Sequence, residues 1–381
     1  MTTTQTKNYM EETKQAVTAN GELVLVTGAA GYVACHVIQQ LQRAGYRVRG
    51  TVRDLTNDKK CQAIRELCPD AKYPVELVEA DLKKPETWPA AVAGCDYVLN
   101  IATPNPFDCS SKTPGDDIIT QTVDGALNIL RAARDAGCVR RVVWTSGLQA
   151  LQDGFSGVNG RTYTESDWLN FDKSGLLPVE RAKALAERAA WDFVNSIDDD
   201  KRRFELSVVH PGFVMGPALS GNPSMSIEFL QQMLAGKYWM VPRMCTAMVD
   251  VRDVAAAHIA AMTSPQAAGQ RHILCGGNIW FKDIANTLRD EFHPQGYCIS
   301  NITAPYFVMW IAARFDDTAS MILRALNAEC HYDNTRMIDV LGVTPRPLKT
   351  TILETAYALI ESGLVKKTDK YTGPNKGQTS V

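Results

Sequence analysis

The stretch "TGAAGYVA", Thr27 to Ala34, carries the clearest chemical signal in the chain. It follows an apolar run, "ELVLV", and opens an amphipathic one, "GYVACHVIQQLQRAG". In that setting Gly28 permits a tight turn, and Gly31 lets the backbone approach a pyrophosphate at the positive end of a helix. Ala34, the third small residue, lets the helix pack close to the strand before it. Gly28, Ala30, Gly31, Tyr32 and Val33 are therefore candidate dinucleotide contacts. The next strand ends in "GTVRD", where Arg53 stands in place of an acid that would accept from a ribose hydroxyl. With Lys59 and Lys60 just beyond, the pocket would draw a 2'-phosphate, so NADP(H) is expected rather than NAD. Arg53 weighs most in this, and Lys60 is the nearer candidate among the lysines. Asp81 and Leu82, closing the third strand, are placed to meet an adenine.

The elements that must position these residues alternate regularly. "ELVLVTG", "YRVRGTVR", "PVELVEADL", "CDYVLNIAT", "VRRVVWTSG" and "ELSVVHPG" read as strands, with helical stretches between them. One such stretch is "IITQTVDGALNILRAARDAG", where Ile119, Val123, Ala126, Leu127, Leu130 and Ala133 share a face. Strand and helix in alternation predict an α/β fold with a Rossmann-type doubly wound parallel sheet. Beside it a smaller, mostly helical C-terminal substrate lobe is expected. The expected boundaries are a flexible segment at 1–21, an NADP-binding domain at 22–212 plus about 246–277, a substrate lobe at about 213–245 plus 278–367, and a flexible tail at 368–381.

Composition narrows the function classes. Forty basic against forty-two acidic side chains give a net charge of −2, which offers no footprint for a nucleic-acid backbone. The longest apolar run, "APYFVMWIAA", is about half of a bilayer crossing and reads as a buried helix. The ten cysteines form no CxxC pair and the six histidines show no metal-ligand spacing, so no metal is expected. The polar start of the chain does not read as an export signal, which makes disulfides unexpected and the cytoplasm the expected location. Cys61 and Cys68 read as thiols near solvent without a role. His210 reads as a structural residue at a strand end, and His258 as a helix residue packed on the sheet.

Taken in order, "VTGAAGYVA", "GYRVRGTVRD", "EADL", "NIATP", "VRRVVWTSG", "YTESDW", "KALAERAAW", "HPGFVMGP", "VDVRDVAAAH" and "LIESGLVKK" resemble the extended short-chain dehydrogenase/reductases. Within them the likeness is to the dihydroflavonol 4-reductase-like aldehyde and ketone reductases, over about residues 22–367. The resemblance implies that Ala102 and Thr103 lie along the cofactor's ribose and pyrophosphate. It also implies that Pro211, Gly212 and Val214 touch the nicotinamide side and that Lys183 bonds the nicotinamide ribose. The substrate would be a small molecule, an aldehyde, ketone or other hydrophobic metabolite, held between the sheet and the helical lobe.

The same resemblance exposes two departures. The family's proton donor is a tyrosine four residues before the lysine, and here that position is Val179. Its oxyanion donor is the second serine of a TSS strand end, and here Thr145 and Ser146 are followed by Gly147. Losing a general acid costs roughly 10²- to 10⁴-fold in rate and losing an oxyanion donor roughly 10²- to 10³-fold. Tyr163, in "YTESDW", belongs to a different position of the family pattern. Three readings stay open. One is a reductase drawing its proton from water or from Ser146, Thr145 or Glu180. Another is a non-redox enzyme of lyase, isomerase or cyclase type with Lys183 as base or nucleophile. The third is a catalytically silent NADP(H)-binding protein.

Overall fold

The computed structural model describes residues 21–103, 115–152, 159–219 and 224–374. Its strands are β1 (Leu23–Val26), β2 (Arg47–Val52), β3 (Glu76–Glu79), β4 (Tyr97–Asn100), β5 (Arg141–Thr145), β6 (Thr162–Tyr163), β7 (Glu205–Pro211), β8 (Phe213–Met215), β9 (Cys245–Asp250), β10 (Arg271–Leu274), β11 (Gly277–Trp280) and β12 (His331–Tyr332). The helices are α1 (Tyr32–Arg43), α2 (Asp58–Arg65), α3 (Trp88–Val92), α4 (Gly115–Ala136), α5 (Pro178–Asn195), α6 (Met225–Leu234), α7 (Val251–Thr263), α8 (Phe281–Phe292), α9 (Tyr306–Ala312), α10 (Asp317–Ala325), α11 (Thr335–Asp339) and α12 (Leu348–Glu361).

Seven strands form a parallel sheet in the order β10-β7-β5-β4-β1-β2-β3, the doubly wound arrangement the alternation predicts. The order reverses between β1 and β4, which opens a crevice at their carboxyl ends. Both faces of the sheet are covered at its centre, so β1 and β4 read as continuous apolar runs rather than alternating ones. Val24 and Val26 of β1 and Val143 of β5 pack with Val37, Ile38 and Leu41 of α1 and Val254 of α7. Leu25 and Val142, one residue out of step, pack on the other face with Ile129 and Leu130 of α4 and Ala186 and Ala190 of α5. Each valine, leucine or isoleucine so buried contributes roughly 1.5–3 kcal/mol of transfer free energy.

A second core joins α6, α8 and α12 through Leu230, Ile284, Leu288, Ile352 and Ile360. It backs a three-stranded sheet, β11-β9-β8. The sequence reading assigns 246–277 to the domain of the main sheet; α7 packs on that sheet and β10 joins it, but β9 does not. β9 pairs parallel to β8 and antiparallel to β11. Its Met248 faces the second core and its Val249 the first. A strand buried on both sides has the same apolar pattern in either sheet.

Other expectations are corrected. "APYFVMWIAA" is not buried: α9 leaves Phe307 63% and Trp310 45% exposed, because it packs on α10 at the protein surface. Cys61 is buried on the inner face of α2 and is not near solvent. The stretch expected as a free tail is docked as far as it is described. The Tyr371 hydroxyl donates to Glu361 Oε1 at 2.8 Å, and the Thr372 amide donates to Gln295 Oε1 at 3.2 Å. Residues 1–20 and 375–381 lie outside the described residues. Among the described residues no disulfide forms, no cluster suits a metal ion, and no helix is long and apolar enough to cross a membrane.

Candidate functional site

A cavity of about 1090 Å³ occupies the crevice where the strand order reverses. Gly28 bends the chain into it at φ +67°, where a side chain would be strained and would press on Ala102 Cβ at 3.1 Å. Gly31 is the N-cap of α1 and brings no side-chain cap, leaving the first-turn amides of the helix for a ligand. A Cβ at Gly31 would sit 3.0 Å from the Gly28 carbonyl oxygen. The loop is pinned from below by a residue that motif reading passes over. Thr27 Oγ1 donates to Asn100 Oδ1 and accepts from the amides of Ile101 and Ala102, each at 2.9 Å.

Gly28, Ala30, Gly31, Tyr32, Val33, Arg53, Lys60, Asp81, Leu82, Ala102, Thr103, Pro211, Gly212 and Val214 all line this one cavity; Lys59 does not. Glycines that admit a backbone approach, a free helix N-terminus and a cationic far wall suit a phosphorylated dinucleotide.

Lys183 enters from α5. Its ammonium donates to Thr103 Oγ1 at 3.0 Å and to the Ser146 carbonyl oxygen at 3.5 Å; Lys183 lies outside the lining of the large cavity, in a small adjoining pocket that shares Leu82, Ala102 and Thr103 with it. Burial pulls its pKa down to about 8, against an opposing pull from Glu187. The ordinary value is 10.5, so between about 8 and 10.5 the unfolded chain holds a proton that the folded chain has lost. Raising pH through that window therefore favours the folded state. Urea midpoints for the wild type should rise relative to Lys183→Met across that range, and parallel pH profiles would contradict the assignment.

The two hydroxyls proposed as substitutes are turned away from the cavity. Thr145 Oγ1 lies 2.8 Å from His258 Nε2, on the α7 side of the sheet. Ser146 Oγ donates to Glu187 Oε2 at 2.6 Å, on the α5 side. Glu180 caps its own helix by accepting from the Leu177 amide at 2.7 Å. Val179 lies one turn before Lys183, outside the cavity lining. Beneath Lys183, Glu187 also accepts from Arg271 Nε at 2.6 Å and lies 2.8 Å from His210 Nε2, all within the core. Burial alone would raise the Glu187 carboxyl, but His210 and Arg271 outweigh it and hold its pKa at about 2.

The cavity also contains residues that sequence reasoning did not single out. Gln149, Gln152, Cys330 and Tyr332 line it. The pairing of β12 with β6 delivers Tyr332, stacked on Tyr163 at 5.8 Å between ring centres. The Tyr332 hydroxyl bonds to Gln152 Oε1 and lies 3.2 Å from Cys330 Sγ. No local pattern marks this group, because its members come from segments some 180 residues apart.

Fold and site together define a dinucleotide-binding α/β protein, and residues 24–276 match the model of the NAD dependent epimerase/dehydratase family, to which the chain belongs. It is similar to the dihydroflavonol 4-reductase of Hordeum vulgare, 31% identical over 71% of this chain and 75% of that protein. Cinnamoyl-CoA reductase 1 of Petunia hybrida is 29% identical over 90% of this chain and 94% of its own length. Among solved structures, yeast methylglyoxal/isovaleraldehyde reductase Gre2 complexed with NADPH superposes with a TM-score of 0.73 at 26% identity, covering 90% of this chain and 99% of that one.

Proposed function

We propose that this chain binds NADP(H) and reduces small carbonyl compounds slowly, without a proton donor at the helix position four residues before Lys183. The observation that carries the reading is an asymmetry. Most of the residues suited to a dinucleotide converge on one cavity, with the Lys183 ammonium on Thr103, while Val179 and Gly147 occupy the positions where the family resemblance would put the acid and the oxyanion donor. The family membership and the NADPH held by Gre2 support the cofactor, and the reductase relatives support the reaction class.

Bound NADPH would supply a hydride. The protein's part is to hold and orient. The amides around Gly28 and Gly31 would meet the pyrophosphate, Arg53 and Lys60 the 2'-phosphate, Lys183 and Thr103 the nicotinamide ribose, and Pro211 to Val214 would wall the nicotinamide. Lys183 already donates two hydrogen bonds, which suits a ribose ligand better than a free base. A silent NADP(H)-binding protein is the second reading, favoured by the commitment of Ser146, Thr145 and Glu180 to other partners.

The cofactor choice is tested by ligand-induced thermal stabilisation. NADPH should stabilise the wild type more than NADH. Arg53→Ala should cut NADPH affinity by roughly 10- to 100-fold, the worth of a charged hydrogen bond, and leave NADH nearly unchanged. Equal stabilisation of the wild type by the two cofactors would contradict the reading.

A further inference from the structure

The cavity lacks the family's tyrosine, but it does not lack a phenol. We propose that Tyr332 supplies the proton and Gln149 the oxyanion hydrogen bond when this chain reduces a carbonyl, an inference that rests on the reductase reading above.

Geometry places Gln149 first. A Cβ built on Gly147 would collide with Gln149 Oε1, so the glutamine amide already fills the space that a serine side chain at 147 would enter. Its neighbour Leu148 reaches the wall formed by Gly212, whose own Cβ position is 3.3 Å from Leu148 Cδ1. The amide thus sits beside the stretch that would wall the nicotinamide; Oε1 is the end that faces the space at 147, and with the amide turned over Nε2 would bring its two donor hydrogens there for a developing oxyanion.

Tyr332 is fixed from two sides. Its ring stacks on the fully buried Tyr163, and it packs against a cluster that includes Leu148 and Leu151. Its hydroxyl donates to Gln152 Oε1, and both residues line the cavity. Burial, chiefly, pushes the phenol well above its ordinary pKa, so it stays protonated at neutral pH and able to donate. Gln152 can support both states. With the amide turned over, its Nε2 donates to the phenol oxygen, freeing the phenolic proton for the cavity and steadying the phenolate left behind.

The step balances as follows. The carbonyl carbon accepts the hydride that the reduced dinucleotide supplies, the C=O π bond breaks, and the oxygen takes the Tyr332 proton to give the alcohol. The phenolate regains a proton from solvent at the cavity mouth. A phenol whose pKa burial raises is a weak acid, which fits slow turnover.

The test uses the full chain, with Tyr332→Phe to keep the ring stack and Gln149→Ala to remove the amide. Turnover of NADPH with an aldehyde panel should fall about 100-fold in the first and roughly 10- to 100-fold in the second, with NADPH affinity within about twofold of wild type. Calorimetric binding of benzamide, an unreactive carbonyl, to the NADPH-loaded protein should weaken about three- to tenfold in each variant. Adding Val179→Tyr to Tyr332→Phe should restore turnover, which damage to the β6–β12 pairing would not allow. Wild-type turnover in Tyr332→Phe would overturn the proposal. So would a silent wild type that becomes active only with Val179→Tyr, a result that would also remove the reductase reading, which the first outcome leaves standing.

Discussion

Val179→Tyr combined with Gly147→Ser should raise aldehyde reduction by about 10²-fold or more, the scale of one recovered general acid. Residue 179 is one helical turn before Lys183, so a phenol there stands on the same face as the ammonium. That ammonium, already held on Thr103, would lower the phenol's pKa, which burial instead raises at Tyr332. Brønsted behaviour then makes the new tyrosine the better acid near neutral pH. The serine meets only the far end of the flexible Gln149 side chain, which can move aside. Neither substitution touches the glycine loop or Arg53, so NADPH affinity should change little. Steady-state NADPH oxidation reads the result, and an unmodified protein that turns over as fast as the double variant would contradict the account.

Glu187→Ala should destabilise the fold by about 3–5 kcal/mol, the usual cost of removing one partner of a buried ion pair. The substitution strips the Arg271 guanidinium, His210 and Ser146 of a shared acceptor in the core, where water cannot replace it. Against a total stability of roughly 5–15 kcal/mol this is a large fraction. The pH dependence has a definite sign. Held at about 2 against an ordinary 4.5, the carboxylate contributes stability that is complete above about 4.5 and is lost as pH falls toward 2. That shift corresponds to about 3 kcal/mol, the same scale as the substitution. Urea unfolding at neutral pH should show the loss, and the difference between wild type and variant should shrink in acid. A variant within about 1 kcal/mol of wild type at neutral pH would mean that the network contributes little.

The parts of the molecule legible in the sequence are those fixed by local backbone demands. Gly28 announces itself because its turn takes a positive φ, Gly31 because a Cβ there would crowd the Gly28 carbonyl oxygen, and the central parallel strands because each is an apolar run between helical stretches. The orientation of Thr145 and Ser146 was also within reach. Alternation along β5 sends Val143 and Thr145 toward α7 and Val142 and Ser146 toward α5, so neither hydroxyl can point along the strand end into the crevice. What the sequence hides is non-local. Tyr332 joins Gln152 only because β12 pairs with β6 across the fold. The exposure of α9 is hidden for the opposite reason, since an apolar run states what a helix could bury and not whether anything covers it.

The account stands on a proposed dinucleotide site whose lysine has no tyrosine four residues before it, and equilibrium titration of NADPH fluorescence tests the first half with no dependence on substrate. The wild type should show saturable binding at one site, with an affinity matched within about twofold by Val179→Tyr/Gly147→Ser, because neither position holds the cofactor. A wild type that shows no saturable NADPH binding would contradict the account at its base.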